Sequence, residues 1–312
     1  MSAVIAVVLP IFGLILAGWA TRRLGVLGPA ATGELNRFVV YLALPALLFD
    51  LVATADWADI WHPRFLAAFG IGAAAVFGGT VAWSVLAGRR PLPDAAIDGL
   101  NAGYPNTGYI GFPLVLAALG KNALVTALLA TIVTGCLLFA LAIVLVEIGL
   151  QSKTDPRRMA GKLALTLARN PLLVAPIVGA VYAATGLGLP TSVLTFLKML
   201  GGSASPCALI ALGLFLGEKR EGARVRHGPV VVLAGLKLFV QPGLTWVLAA
   251  LVFKQPPLLV NGAVLLAALP TGTGAFMLAE FYRRDADLTA RVVLVSTIAS
   301  VATISAYLAW AG

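Results

Sequence analysis

Charge is scarce in this chain: 22 Lys or Arg and 13 Asp or Glu among 312 residues leave 11% of positions charged, against 60% apolar. With a mean hydropathy of +0.97, that composition excludes an ordinary soluble domain and indicates an integral membrane protein. Cysteine is nearly absent, and Cys136 and Cys207 both fall inside apolar stretches. There a free thiol packs as a small apolar side chain, so neither a disulfide framework nor a thiolate metal cluster is expected. The two histidines, His62 and His227, sit between apolar stretches. No Ser/His/Asp set, Cys-x-x-Cys pair, His-Glu-x-x-His helix or phosphate-binding Gly-Lys-Ser/Thr loop can be assembled. An enzyme, a metal site and a cofactor are therefore not expected.

Basic residues are also missing ahead of the first apolar segment, whereas Arg22 and Arg23 follow it, the reverse of a cleavable leader with a basic front end. A spanning helix needs roughly 20 mostly apolar residues. Windows between charged or Gly/Pro-rich breaks give ten: 3–20, 35–53, 65–87, 95–118, 123–150, 171–185, 192–216, 230–253, 258–279 and 288–310. Arg22/Arg23, Arg89/Arg90, Lys153 through Lys162, Lys219 through Arg226 and Arg283/Arg284 all fall in odd-numbered connections. The positive-inside rule then makes those connections cytoplasmic and puts both termini outside. The net charge of +9 reads as orientation in a membrane, with lipid as a partner and no nucleic acid.

What the chain does have is internal repetition. Pro10, Pro29 and Pro45 recur as Pro171, Pro190 and Pro206, and Gly18 and Gly25 as Gly179 and Gly186, all at an offset of 161. Proline accounts for 18 of 312 residues, so three matches at one shift are hard to obtain by chance. Arg37 and Lys198 share the offset at the starts of their windows. Five spans per copy is an odd number, so the second copy enters the membrane from the opposite face, a common transporter plan. The expected division is a first five-helix repeat over 1–152, a connecting segment over 153–169 and a second, inverted repeat over 170–312.

The fourth and ninth windows hold the unusual chemistry. Asn101-Ala-Gly-Tyr-Pro105-Asn106-Thr107-Gly108-Tyr109-Ile-Gly111-Phe-Pro113 interrupts one, and Pro270-Thr271-Gly272-Thr273-Gly274 the other. Proline removes an amide donor and clashes with the preceding turn, and freed backbone groups at membrane depth are tolerated only where protein or a watery cavity satisfies them. Two broken helices in matched positions point to a substrate site near the midplane. The start of each second half offers free N–H groups and a positive dipole end to an anion, and Asn106, Thr107, Thr271 and Thr273 add neutral donors. The competing reading is that Pro and Gly only kink packed helices. In the eighth window, Lys237 and Gln241 share a helix face; Lys237 reads either as an anion-attracting group beside the ninth-window break or as a side chain reaching a membrane surface.

Leu9-Pro10-Ile-Phe-Gly13, Gly18, Gly25, Asn36-Arg37 and Leu44-Pro45, followed by Asn106-Thr107-Gly108-Tyr109-Ile-Gly111-Phe112-Pro113, Lys237 through Pro242 and Pro270-Thr271, together resemble the auxin efflux carrier family. The resemblance implies an all-α membrane fold of ten transmembrane helices in two inverted repeats, with crossing broken helices 4 and 9, similar to bile-acid symporters and sodium/proton antiporters. It further implies scaffold helices 1, 2, 6 and 7, transport helices 3–5 and 8–10, elevator-type movement, and a homodimer in a bacterial-type inner membrane. The substrate expected is a small organic anion, a mono- or dicarboxylate such as malonate or malate, or an auxin-like acid. Its site is expected at Asn101, Pro105, Asn106, Thr107, Gly108, Lys237, Gln241, Pro270, Thr271, Gly272 and Thr273. A carrier of neutral or cationic solutes and a non-transporting membrane sensor are the alternatives.

Overall fold

The structure, a computed structural model, describes residues 2–55, 62–151, 165, 167–218 and 227–311. The basic stretches at Lys153 through Lys162 and Lys219 through Arg226, and with them most of the expected connecting segment, lie outside the described residues. Helices run as α1 (Ser2–Arg23), α2 (Ala31–Ala53), α3 (Pro63–Leu86), α4 (Leu92–Gly103), α5 (107–119), α6 (Lys121–Gln151), α7 (Pro171–Ala184), α8 (Thr191–Gly217), α9 (His227–Val252), α10 (Pro257–Ala267), α11 (Thr273–Phe281) and α12 (Ala286–Ala311). Among the described residues there is no strand. Among those residues six helices, α2, α3, α6, α8, α9 and α12, are long and apolar enough to cross a membrane, and α7 and α10 are shorter apolar helices.

Helix fills each of the ten apolar windows, and the fourth and ninth each contain two helices separated by an unwound stretch, at 104–106 and 268–272. Pro105 and Pro270 sit in those stretches, where a missing N–H and a ring clash end the first helix of each pair. At three other prolines the helix widens instead. The π turns at Val39–Ala43, Thr107–Gly111 and Leu236–Val240 end just ahead of Pro45, Pro113 and Pro242, where a wider turn gives the ring room beneath the preceding carbonyls.

The sequence offset reappears in the packing. Gly18 on α1 lies against the Ile210 carbonyl of α8, close enough that a Cβ would collide with it, and a Cβ on Gly179 of α7 would stand 3.0 Å from the Phe49 carbonyl of α2. Gly179 is Gly18 shifted by 161 and Ile210 is Phe49 shifted by 161, so the two contacts exchange partners. Glycine at both points lets helix backbones approach at close range where lipid offers no competing hydrophobic drive.

Ion pairs tie the odd-numbered connections to one another. Arg22 in the last turn of α1 meets Glu218 after α8 at 3.3 Å, and Arg90 before α4 meets Asp285 before α12 at 3.3 Å. Arg284 reaches Asp94 in the first turn of α4 through two bonds of 2.7 and 2.6 Å. That hydrogen bonding holds the Arg284 guanidinium above its ordinary pKa. Arg90 also pairs with the buried Asp98 at 2.8 Å, and Tyr282 Oη donates to Glu147 Oε1 at 2.7 Å.

Candidate functional site

The two unwound stretches meet. Asn106 N donates to the Pro270 carbonyl at 2.9 Å and Gly272 N to the Tyr104 carbonyl at 2.9 Å, a two-bond antiparallel bridge between Pro105 and Thr271. Each break thus satisfies backbone groups that the other has freed, which is what membrane depth requires of non-helical backbone. Gly272 is needed there because a Cβ would collide with the Tyr104 ring.

Side chains take up further backbone groups at the crossing. Lys237 Nζ donates to the Ala267 carbonyl at the end of α10, at 2.6 Å, and Gln241 Nε2 donates to the Gly103 carbonyl at the end of α4, at 2.9 Å. Both are fully buried, and their four-residue spacing puts them on one face of α9. They therefore occupy carbonyls that a broken helix leaves without intrahelical donors. Thr271 Oγ1 donates to the Asn101 carbonyl at 2.7 Å while its N–H takes Ser296 Oγ at 3.1 Å, and Asn101 Nδ2 donates to Thr289 Oγ1 at 3.1 Å.

Beside the crossing lies a cavity of about 40 Å³. Asn106, Thr107 and Gly108 at the start of α5, and Thr273 and Gly274 at the start of α11, line it together with Tyr104 and Met277. α6 contributes Thr131, Thr134 and Gly135, α2 contributes Val39, Leu44, Leu47 and Leu48, and α8 contributes Ala208. The N-terminal ends of both second-half helices thus share one small, mostly apolar chamber. Thr107 and Thr134 hydroxyls are 2.8 Å apart, but Thr273 Oγ1 is buried with no hydrogen-bond partner.

Of the residues expected from sequence, Asn106, Thr107, Gly108 and Thr273 line the cavity. Pro105, Pro270, Thr271 and Gly272 build the bridge, and Asn101, Lys237 and Gln241 hold it from behind without entering the cavity wall. Sequence reasoning did not select Tyr104, although it lies inside the fourth-window motif, nor Thr131 and Thr134. The signal for those two was available: hydroxyls three residues apart in an otherwise apolar helix share a face. The leucines of α2 carried no signal, since nothing distinguishes them from lipid-facing leucines in the sequence.

The profile of the family described as membrane transport protein matches residues 3–308. A relative from Rhizobium meliloti (strain 1021) that bears the name "Putative malonate transporter" is 31% identical over 311 residues, covering 99% of this chain and 96% of its own. An "Uncharacterized transporter" of Methanothermobacter thermautotrophicus is 29% identical over 306 residues, covering 95% of each chain. "Auxin efflux carrier component 3a" of Oryza sativa subsp. japonica is 35% identical over 121 residues, which is 38% of this chain and 19% of that one.

Proposed function

The chain belongs to the membrane transport protein family, together with the auxin efflux carriers, and on that premise we propose that it is a secondary carrier of small carboxylates. The observation that carries the reading is the pair of half-helix N-termini lining one cavity, with Thr273, whose buried hydroxyl has no partner, in its wall. Free N–H groups and a positive dipole end bind carboxylate without a buried fixed charge. The name borne by the Rhizobium relative, covering 96% of that protein, makes malonate the first substrate to try.

In this reading the chain is two inverted five-helix repeats, 1–152 and 170–312, with both termini outside. The exchange of Gly18 and Ile210 with Gly179 and Phe49 supports a twofold relation between the copies. α1, α2, α7 and α8 form the scaffold, and α3–α6 with α9–α12 form the moving part. A cavity of 40 Å³ has room for about three water molecules, so a carboxylate enters only when the α2 and α8 wall separates from the half-helices. Elevator movement of that kind, in a homodimer, is the mechanism proposed.

The test is flux of radiolabelled malonate into vesicles containing the purified chain. Saturable flux is expected, with Asn106→Ala and Thr273→Val each reducing it by about tenfold, the loss of one hydrogen bond to a charged group, while both variants keep the thermal stability of the parent. Unchanged flux in both variants would remove the crossing as the binding site.

A further inference from the structure

We infer that the crossing selects substrates bearing one negative charge: a monocarboxylate, or a dicarboxylic acid that has kept one proton. This rests on the carboxylate-carrier reading and adds the charge state that the site accepts. A helix end carries roughly half an elementary charge. The N-termini of α5 and α11, at Thr107 and Thr273, both open on the cavity, so together they present roughly one positive unit. The opposing negative ends of α4 and α10 are not in its wall; their carbonyls at Gly103 and Ala267 are taken by Gln241 and Lys237.

No further charge lines the cavity among the described residues, and the Lys237 amino group beside the crossing sits outside the wall against the Ala267 carbonyl, at the negative end of α10. Among the described side chains the cavity wall contains no Lys, Arg, His, Asp or Glu, and Tyr104 is its one titratable group. The elements enclosing it do carry such groups: Glu34, Arg37, Tyr41 and Asp50 on α2; Lys121, Cys136 and Glu147 on α6; Lys198 and Cys207 on α8; and Glu280 on α11. None of them is in the wall. Thr273 Oγ1, on a side chain 1% exposed and with no partner, is an independent sign that the chamber is built to bond a ligand.

A dianion in this chamber would hold one charge without a counter-charge in a low-dielectric interior. Taking up a proton near the acid's own dissociation costs far less than that. A short dicarboxylate therefore binds as its monoanion, one carboxylate at the paired N-termini and the protonated carboxyl free to donate to a neutral oxygen. One proton then travels with each dicarboxylate and none with a monocarboxylate.

Calorimetric binding to the purified full chain separates the cases, with malonate and its monomethyl ester as probes, from below to well above the second dissociation of malonic acid. The half-ester has no second carboxyl to ionise, so its affinity is expected to stay flat. Malonate affinity is expected to fall about tenfold per pH unit above that dissociation. Malonate affinity that stays flat or rises overturns the charge match and leaves carboxylate binding standing. Failure of both probes to bind at any pH overturns the carboxylate reading and this inference with it.

Discussion

At the scale of a residue, Lys237 ends on a backbone carbonyl, 2.6 Å from Ala267 O, and outside the cavity wall. Removing its amino group leaves that carbonyl without a donor at membrane depth, which costs about 1–3 kcal/mol. Lys237→Ala is therefore expected to lower thermal stability in detergent while leaving the ranking of competing carboxylates unchanged; a changed ranking at parental stability would put Nζ at the substrate instead. Glycine gives a second contrast. Gly272→Ala drives a methyl into the Tyr104 ring, whereas a methyl on Gly108 meets only Thr131 Cγ2 at 3.7 Å, an ordinary contact. The first is expected to destabilise by about 1–3 kcal/mol, as overpacking does, and the second to be near neutral in the same unfolding experiment. The sequence places Lys237 in an apolar window, where a cation needs either a partner or a route to the membrane surface. It does not show which partner, because the Ala267 carbonyl lies thirty residues downstream and is freed only by a break.

At the scale of an element, the two breaks were legible because proline and glycine act locally, through a missing donor and a missing side chain. Pro105 and Pro270 fall in the unwound stretches that sequence places there. What joins the stretches was not legible: the bonds between Asn106 and Pro270 and between Gly272 and Tyr104 depend on packing between distant halves. The start of the fourth window was also misplaced. A hydropathy window begins at Ala95, but α4 begins at Leu92 and includes Asp94, a charge kept in the helix by Arg284 and favoured in its first turn. Asp94→Asn removes the charge from a two-bond pair whose side chains are 26% and 14% exposed. The expected loss is about 1 kcal/mol, above the median for a surface pair because the geometry is bidentate. Thermal unfolding at low and high salt checks it: the deficit of the variant should shrink with salt if it is electrostatic.

At the scale of the whole molecule, the cavity wall divides between α2 and α8 on one side and the half-helices with α6 on the other. The second group is held together internally by the bridge, by Lys237 and Gln241, and by the Arg90 and Arg284 ion pairs. The first group is held by the close glycine contacts of α1 on α8 and α7 on α2. On the proposed mechanism the surface between these groups opens, since 40 Å³ is too small for a dicarboxylate. Leu48 of α2 and Gly135 of α6 face each other across that surface, with a Cβ on Gly135 standing 3.3 Å from Leu48 Cδ2. In a chain with Cys136 and Cys207 replaced by Ala, cysteines at 48 and 135 joined by a short reducible cross-linker should abolish malonate flux. Reductant should restore flux to the level of the uncross-linked protein. The same cross-linker between residues 104 and 139, whose rings already pack 5.6 Å apart within one group, should slow flux no more than the cysteine substitutions do. Full flux through the 48–135 cross-link would mean that the wall never opens there, and the division into scaffold and moving part would have to be redrawn.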